Sequence, residues 1–291
     1  MKYAPVVEMW RDKSAVHRVD GVATRVWEQG QGEAVVCIHG VPTSAYCYRN
    51  LLPELANLGM RGIAFDLPGL GLADRPVEFD YSWTGLGLFA TKLIESIGLG
   101  RFHLLVHDIG GPVGFGVLGR LRDQISSLTI LNTMTLPTKF RPHPMMRIFT
   151  VPLAGELSLA ALNEQSFAFT LNSHGFMNRL SREDYRAYYQ LLKGEDHGRS
   201  FLRIMRGFEL TQGFEDQVIS SAKAYHGPRQ IIWGADDHAL PLTVYGEHAR
   251  QVFGCSQITR LPAKHFVQED CYREIAAAVA AQAAGVQRRA S

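Results

Sequence analysis

The sequence predicts an α/β fold: a mostly parallel sheet covered by helices on both faces and interrupted once by a long helical insertion. Three observations carry this. Short strand-like runs are apolar throughout, amphipathic helical runs alternate with them, and the alternation stops between residue 136 and about residue 213. The 291 residues are 46% apolar and 20% charged, with 28 Gly and 13 Pro, which excludes disordered, collagen-like and disulfide-scaffold classes. Thirty Lys+Arg against 28 Asp+Glu leave a charge of +2, too weak a field to recruit nucleic acid or an anionic membrane surface.

Taken in order, residues 1–13 mix Lys2, Glu8, Arg11 and Asp12 into their apolar positions and so lack a signal-peptide core. Residues 15–27 alternate and turn at Asp20-Gly21, the pattern of an antiparallel hairpin at the sheet edge. Strands at 35–38, 62–65 and 102–106 end at His39-Gly40, Asp66-Leu67-Pro68-Gly69 and His107-Asp108, with helical spacing at 45–58 and 83–97 between them. A sixth strand is expected at 128–131. The insertion then carries prolines at 137, 142, 144 and 152 and helical stretches at 154–162 and 182–192. The rhythm resumes with a strand at 230–233, a helix at 244–253, a strand at 257–261 and a helix at 272–284, followed by an Arg288-Arg289 tail expected to fray. Residues 1–135 and 214–291 are thus expected to form one core domain and 136–213 a second, helical one.

Cys37, Cys47, Cys255 and Cys271 show no C-x-x-C spacing and read as reduced thiols of a cytoplasmic protein. No apolar stretch approaches the roughly 18 residues of a membrane span, and Glu156 and Gln282 break the longest candidates. A soluble monomer or homodimer without membrane or nucleic-acid partners is expected.

In open parallel sheets, reactive groups sit at the carboxyl ends of strands. Leu105-Val106-His107-Asp108-Ile109-Gly110-Gly111 places a carboxylate at a tight strand-to-helix turn, with two glycines that let the helix pack close. A turn of this kind presents its central side chain above the sheet and aims the next backbone N–H at the same point. The alternative is an Asp that caps a helix. Gly234-Ala235-Asp236-Asp237 ends a later strand with two acids, and Lys264-His265-Phe266 places an imidazole beyond the last strand. The chain order Asp108, Asp237, His265 is nucleophile, acid, base.

On these residues the sequence resembles the α/β-hydrolase family, in particular the branch with an aspartate nucleophile that contains haloalkane dehalogenases and epoxide hydrolases. The resemblance spans nearly the whole chain. His39-Gly40-Val41-Pro42-Thr43-Ser44 is similar to the oxyanion-hole loop, Phe65-Asp66-Leu67-Pro68-Gly69-Leu70-Gly71 to the turn that follows it, His107 to Gly111 to the nucleophile elbow and His265 to Asp270 to the base loop. It implies an α/β-hydrolase fold, with a helical cap inserted after the sixth strand, and hydrolysis of a small apolar substrate by water without cofactor or metal. Asp108 would displace a leaving group to give an alkyl ester, which water activated by His265 would hydrolyse. Asp237 would orient and charge-stabilise the imidazole, Asp236 being the competing acid that the family spacing disfavours. The N–H groups of Val41 and Ile109 would hold the oxyanion.

The leaving-group site departs from both subfamilies. Dehalogenases resemble one another in placing Trp after the nucleophile and Asn or Trp elsewhere as halide donors; here Ile109 and Val41 stand at two such positions, and tryptophans 10, 27, 83 and 233 all lie outside the insertion. Epoxide hydrolases protonate the opening oxygen from cap residues, a pair of Tyr or a His and a Tyr. His174, Tyr185, Tyr188 and Tyr189 are the candidates, and Met205 in Ile204-Met205-Arg206 stands where the family's second Tyr would precede an Arg. Lineage signals lean to the dehalogenases: the bulky Val106, Asp74-Arg75-Pro76-Val77, Leu180-Ser181-Arg182-Glu183 and the base loop. The expected reaction is epoxide opening, ahead of halide displacement at a non-standard halide site. A catalytically silent binding protein is the alternative of another class. A serine-type esterase would need Ser44 or Ser82, and neither is at an elbow.

Overall fold

A computed structural model of the chain describes residues 3–290, with side chains through residue 288. Met1 and Lys2 of the N-terminal stretch, the side chain of Arg289, and Ser291 lie outside the described residues. Eight strands form one sheet: β1 (Ser14–Val19), β2 (Val22–Gln29), β3 (Ala34–Ile38), β4 (Arg61–Phe65), β5 (Phe102–Asp108), β6 (Ile125–Thr133), β7 (Arg229–Gly234) and β8 (Thr259–Leu261). Their spatial order is β1-β2-β4-β3-β5-β6-β7-β8. The hairpin β1-β2 pairs antiparallel and joins β4 antiparallel, while β4, β3, β5, β6, β7 and β8 run parallel. The central strands β3, β5 and β6 are buried at every residue, which is why their apolar residues run together and do not alternate with exposed ones.

The core helices are α1 (Pro5–Asp12), α2 (Leu51–Asn57), α3 (Trp83–Ile97) and α4 (Gly110–Leu121). α1 is not legible in the sequence, because its charged face masks the packing of Trp10, which stacks on Trp27 of β2 at 4.6 Å between ring centroids. The expected helix at 45–58 is two pieces, a 3-10 turn Ala45–Tyr48 and α2. Pro53 accounts for the break, since its ring would clash with the carbonyl of Arg49 in a continuous helix. Ser44 caps the turn through its side chain, and Ala45 N–H donates to Asp66 Oδ1 at 2.8 Å.

Between β6 and β7 the described residues form helices α5 (Pro144–Arg147), α6 (Ala154–Ala161), α7 (Glu164–Thr170), α8 (Arg182–Lys193) and α9 (Arg199–Arg206), and then α10 (Gln212–Ala224). α7 continues into a π turn, Leu171–Gly175. α10 packs against α4 of the sheet layer and starts at Gln212, just inside the expected 136–213 segment. Helices α11 (Glu247–Phe253), α12 (Val267–Asp270) and α13 (Tyr272–Ala290) complete the chain, and α13 runs past the expected end at residue 284 and through the Arg288-Arg289 tail expected to fray. All four cysteines are free thiols. Among the described residues no helix is long and apolar enough to cross a membrane.

Candidate active site

Asp108 is the last residue of β5 and has a φ of 53°, the left-handed region that a non-glycine residue enters at a cost of about 1–3 kcal/mol. The surrounding small residues impose this turn. A Cβ on Gly110 would lie 2.2 Å from Ile38 O and one on Gly111 1.9 Å from Thr133 Oγ1, so α4 sits closer to the sheet than any side chain would permit. Gly40 is equally constrained, its Cβ falling 2.2 Å from Asp108 Oδ1. Thr133 Oγ1 donates to Asp108 O at 2.5 Å and fastens the elbow to β6.

Three loops at the carboxyl edge of the sheet meet at this carboxylate. After β3, Val41 N–H donates to Asp108 Oδ1 at 2.7 Å. After β8, His265 Nε2 lies 3.5 Å from Asp108 Oδ2, and its Nδ1 lies 2.9 Å from Asp237 Oδ2 in the loop after β7. Asp237 is buried and fully bonded: Oδ1 accepts from the N–H of Ala239 and Leu240 at 2.8 and 2.9 Å, and Oδ2 also accepts from Asn132 Nδ2 at 2.7 Å. Asp236 is exposed. Ile109 opens α4 directly after Asp108 and is fully buried.

Burial opposes charge on His265 and Asp237 alike, yet their mutual attraction prevails. Desolvation lowers the His265 pKa, but the charge of Asp237 and hydrogen bonds to Asp108 and Asp237 raise it to about 10. Desolvation likewise raises Asp237, and His265 with Asn132 and Leu240 N–H holds it below the usual carboxylate range. His107, beside the elbow, is neutral: burial, and then the charge of His265, push it down to about 4. Its Nε2–H donates to the backbone carbonyl of His265 at 2.9 Å, and its Nδ1 accepts from Gln268 Nε2 at 3.2 Å.

A cavity of about 100 Å³ lies above Asp108 between the sheet edge and the inserted helices. Met134, Met205, Phe140, Phe208 and Leu171 are among its lining residues, so the walls are apolar and adaptable. Asp108, His265, Val41, His174 and Met205 all line it, and no tryptophan does. His174 sits in the π turn, with the ring of His143 5.4 Å from its own. Burial, and then the nearby His143, Lys264 and His238, lower its pKa.

Tyr185 and Tyr188 do not line this cavity, which corrects the expectation for both. Tyr185 OH donates to Asn172 Oδ1 at 3.2 Å and accepts from Leu180 N–H, and Tyr188 OH donates to Glu269 within a buried cluster with Arg49. Tyr189 OH donates to Leu162 O. Periodicity along α8 could not distinguish a tyrosine turned to the cavity from one packed against the core. Asn132 and His143 escaped the sequence reading, in which His107 and Gln268 stand only as members of the elbow and the base loop. A polar residue ending an apolar strand marked Asn132, and a His between two prolines marked His143.

A family model described as the alpha/beta hydrolase fold matches residues 33–271. The chain is similar to a haloalkane dehalogenase of Sphingobium indicum, 29% identical over 273 residues that cover 87% of this chain and 89% of that protein. It is also similar to epoxide hydrolase 3 of Xenopus tropicalis, 27% identical over 83% of this chain and 68% of that protein. Among solved structures, an ancestral haloalkane dehalogenase superposes with a TM-score of 0.80 at 23% identity, covering 94% of this chain and 99% of that one. With the eight-stranded sheet and the loops at its carboxyl edge, the match shows that the chain belongs to the α/β hydrolase family, where its relatives are haloalkane dehalogenases and an epoxide hydrolase.

Proposed function

We propose that the protein hydrolyses a small apolar substrate through an ester at Asp108, and that epoxide opening is the reaction its site fits best. The carrying observation is the division of labour across one carboxylate, with Oδ1 2.7 Å from the Val41 N–H and Oδ2 3.5 Å from His265 Nε2. Oδ2 attacks the sp³ carbon, the epoxide C–O bond breaks, and its electron pair stays on oxygen. Oδ1 becomes the ester carbonyl, already in contact with a donor that receives the oxyanion when water adds at Cγ. The N–H of Ile109 is the second donor. His265 takes the proton of that water, and Asp237 stabilises the imidazolium. Esterification also cancels the Asp108 charge that helps keep His265 protonated, so the base is freed at the step that needs it.

His174 supplies the proton for the departing oxygen. It lines the cavity above Asp108, where a positioned imidazole can give a proton to the departing oxygen. Met205, the other cap residue on the cavity wall, contributes shape and no proton. The dehalogenase relatives favour a second reading, in which His174 holds a halide in place of the aromatic donors those enzymes use. A panel of epoxides and bromoalkanes, read by diol and halide release and by intact mass, separates the readings. The expected outcome is diol from at least one epoxide, little bromide, at least about tenfold less diol in His174→Ala, and an accumulated adduct in His265→Gln. Rapid bromide release without diol establishes the second reading, and ligand binding with no adduct in any variant makes the protein a silent binder.

A further inference from the structure

The loop carrying His265 is bolted to the cap turn carrying His174. Lys264 Nζ donates to the carbonyls of Asn172 and Ser173, each at 3.0 Å. Phe266 N–H donates to Gly175 O at 3.0 Å, and Asp270 accepts from the N–H of Met177 and Asn178, both at 2.8 Å. The turn also packs against this loop: a Cβ on Gly175 would lie 2.8 Å from the Phe266 ring. The carbonyls that Lys264 takes lie at the C-terminal end of the α7 run, where helix carbonyls lack partners and a cation is favoured.

We propose that Lys264 and Asp270 are positioning residues that fasten the His174 turn to the His265 loop, so that leaving-group donor and base keep one spacing on one body. Neither lines the cavity, so each acts through the backbone of the turn. Lys264 has a second effect, because its ammonium acts on the His174 imidazole together with His143 of the segment before α5 and His238 of the loop after β7, while Asp108 and His265 face the same cavity from below. The catalytic part of this inference rests on the role given to His174 above; the tether does not.

The test compares native full-length protein with Lys264→Met, Lys264→Arg and Asp270→Asn. The His174 imidazole, titrated by NMR, should move to higher pH in Lys264→Met and return in Lys264→Arg. Amide exchange at Met177 and Asn178 should accelerate about tenfold or more in Asp270→Asn. In single turnovers of styrene oxide, ester formation should slow about tenfold in Lys264→Met and Asp270→Asn with ester hydrolysis within about twofold, because only the donor is displaced. An unmoved His174 titration with unchanged exchange overturns the tether, and equal slowing of both steps overturns its positioning role. Absence of any ester in the native protein counts against the epoxide reading alone, and titration and exchange still decide the tether.

Discussion

Asp236 and Asp237 are adjacent and chemically identical, yet only one is built into the site. Asp237 receives two backbone N–H groups, the Asn132 amide and the imidazole, whereas Asp236 is exposed. Asp237→Asn should lower kcat on the order of 10⁴-fold, since an amide can hold the ring but cannot stabilise its positive charge. Asp236→Asn should stay within a few-fold, and equal losses would move the role to Asp236. The same pair contributes to folding. With the His265 pKa raised from 6.5 to about 10, that stabilisation is complete below pH 6.5 and is lost as pH rises through about 10.

At the scale of elements, the site depends on strand ends held in register by side chains. Asn132 near the end of β6 donates to Asp237 and accepts from Gly234 N–H of β7 at 2.9 Å, so one amide sets the height of the acid loop above the sheet. Asn132→Leu leaves a buried N–H unpaired and should cost about 1–3 kcal/mol in urea unfolding, with kcat reduced as Asp237 loosens. Asn132→Asp should lower kcat further, because a second carboxylate would face the first. Unchanged stability and activity in both variants would show that the acid loop holds its own position. Away from the cavity lining, Arg49 pairs with Asp184 of α8 at 3.0 Å and with Glu269 of α12, joining cap, core and base loop through one guanidinium.

The whole molecule should be sensitive to acid, because two fully buried histidines must stay neutral. His39 donates from Nδ1 to Gly40 O and accepts Leu67 N–H at Nε2, so protonation breaks the second bond; burial lowers its pKa to about 4, as it does for His107. Each is protonated more readily in the unfolded chain, so stability is lost as pH falls from 6.5 toward 4. Asp66 acts in the opposite sense. Burial, against hydrogen bonds from Leu72 and Ala45 N–H, raises it to about 7, so its contribution grows as pH falls from 7 to 3.8. Among these three groups the two imidazoles outweigh the one carboxyl, and their combined change is a loss. His39→Gln keeps an acceptor for Leu67 N–H without a titrating ring, and should shrink the stability difference between pH 7 and pH 4.5 by about 2–3 kcal/mol. An unchanged difference would place the acid sensitivity elsewhere.

Periodicity and punctuation determined all eight strands, the place of the helical insertion, and the line of Asp108, Asp237 and His265 along the chain. These are local properties: a buried parallel strand must be apolar throughout, and the residue that ends it at the carboxyl edge stands where the loops converge. Tertiary structure alone decided what depends on packing from a distance. α1 exists because Trp10 finds Trp27, and Tyr185 and Tyr188 turn into the core while His143 comes to face His174. The chain order of Asn132 and Asp237 says nothing of the hydrogen bond that joins them, because side chains brought together by a sheet are ordered by strand adjacency and not by sequence.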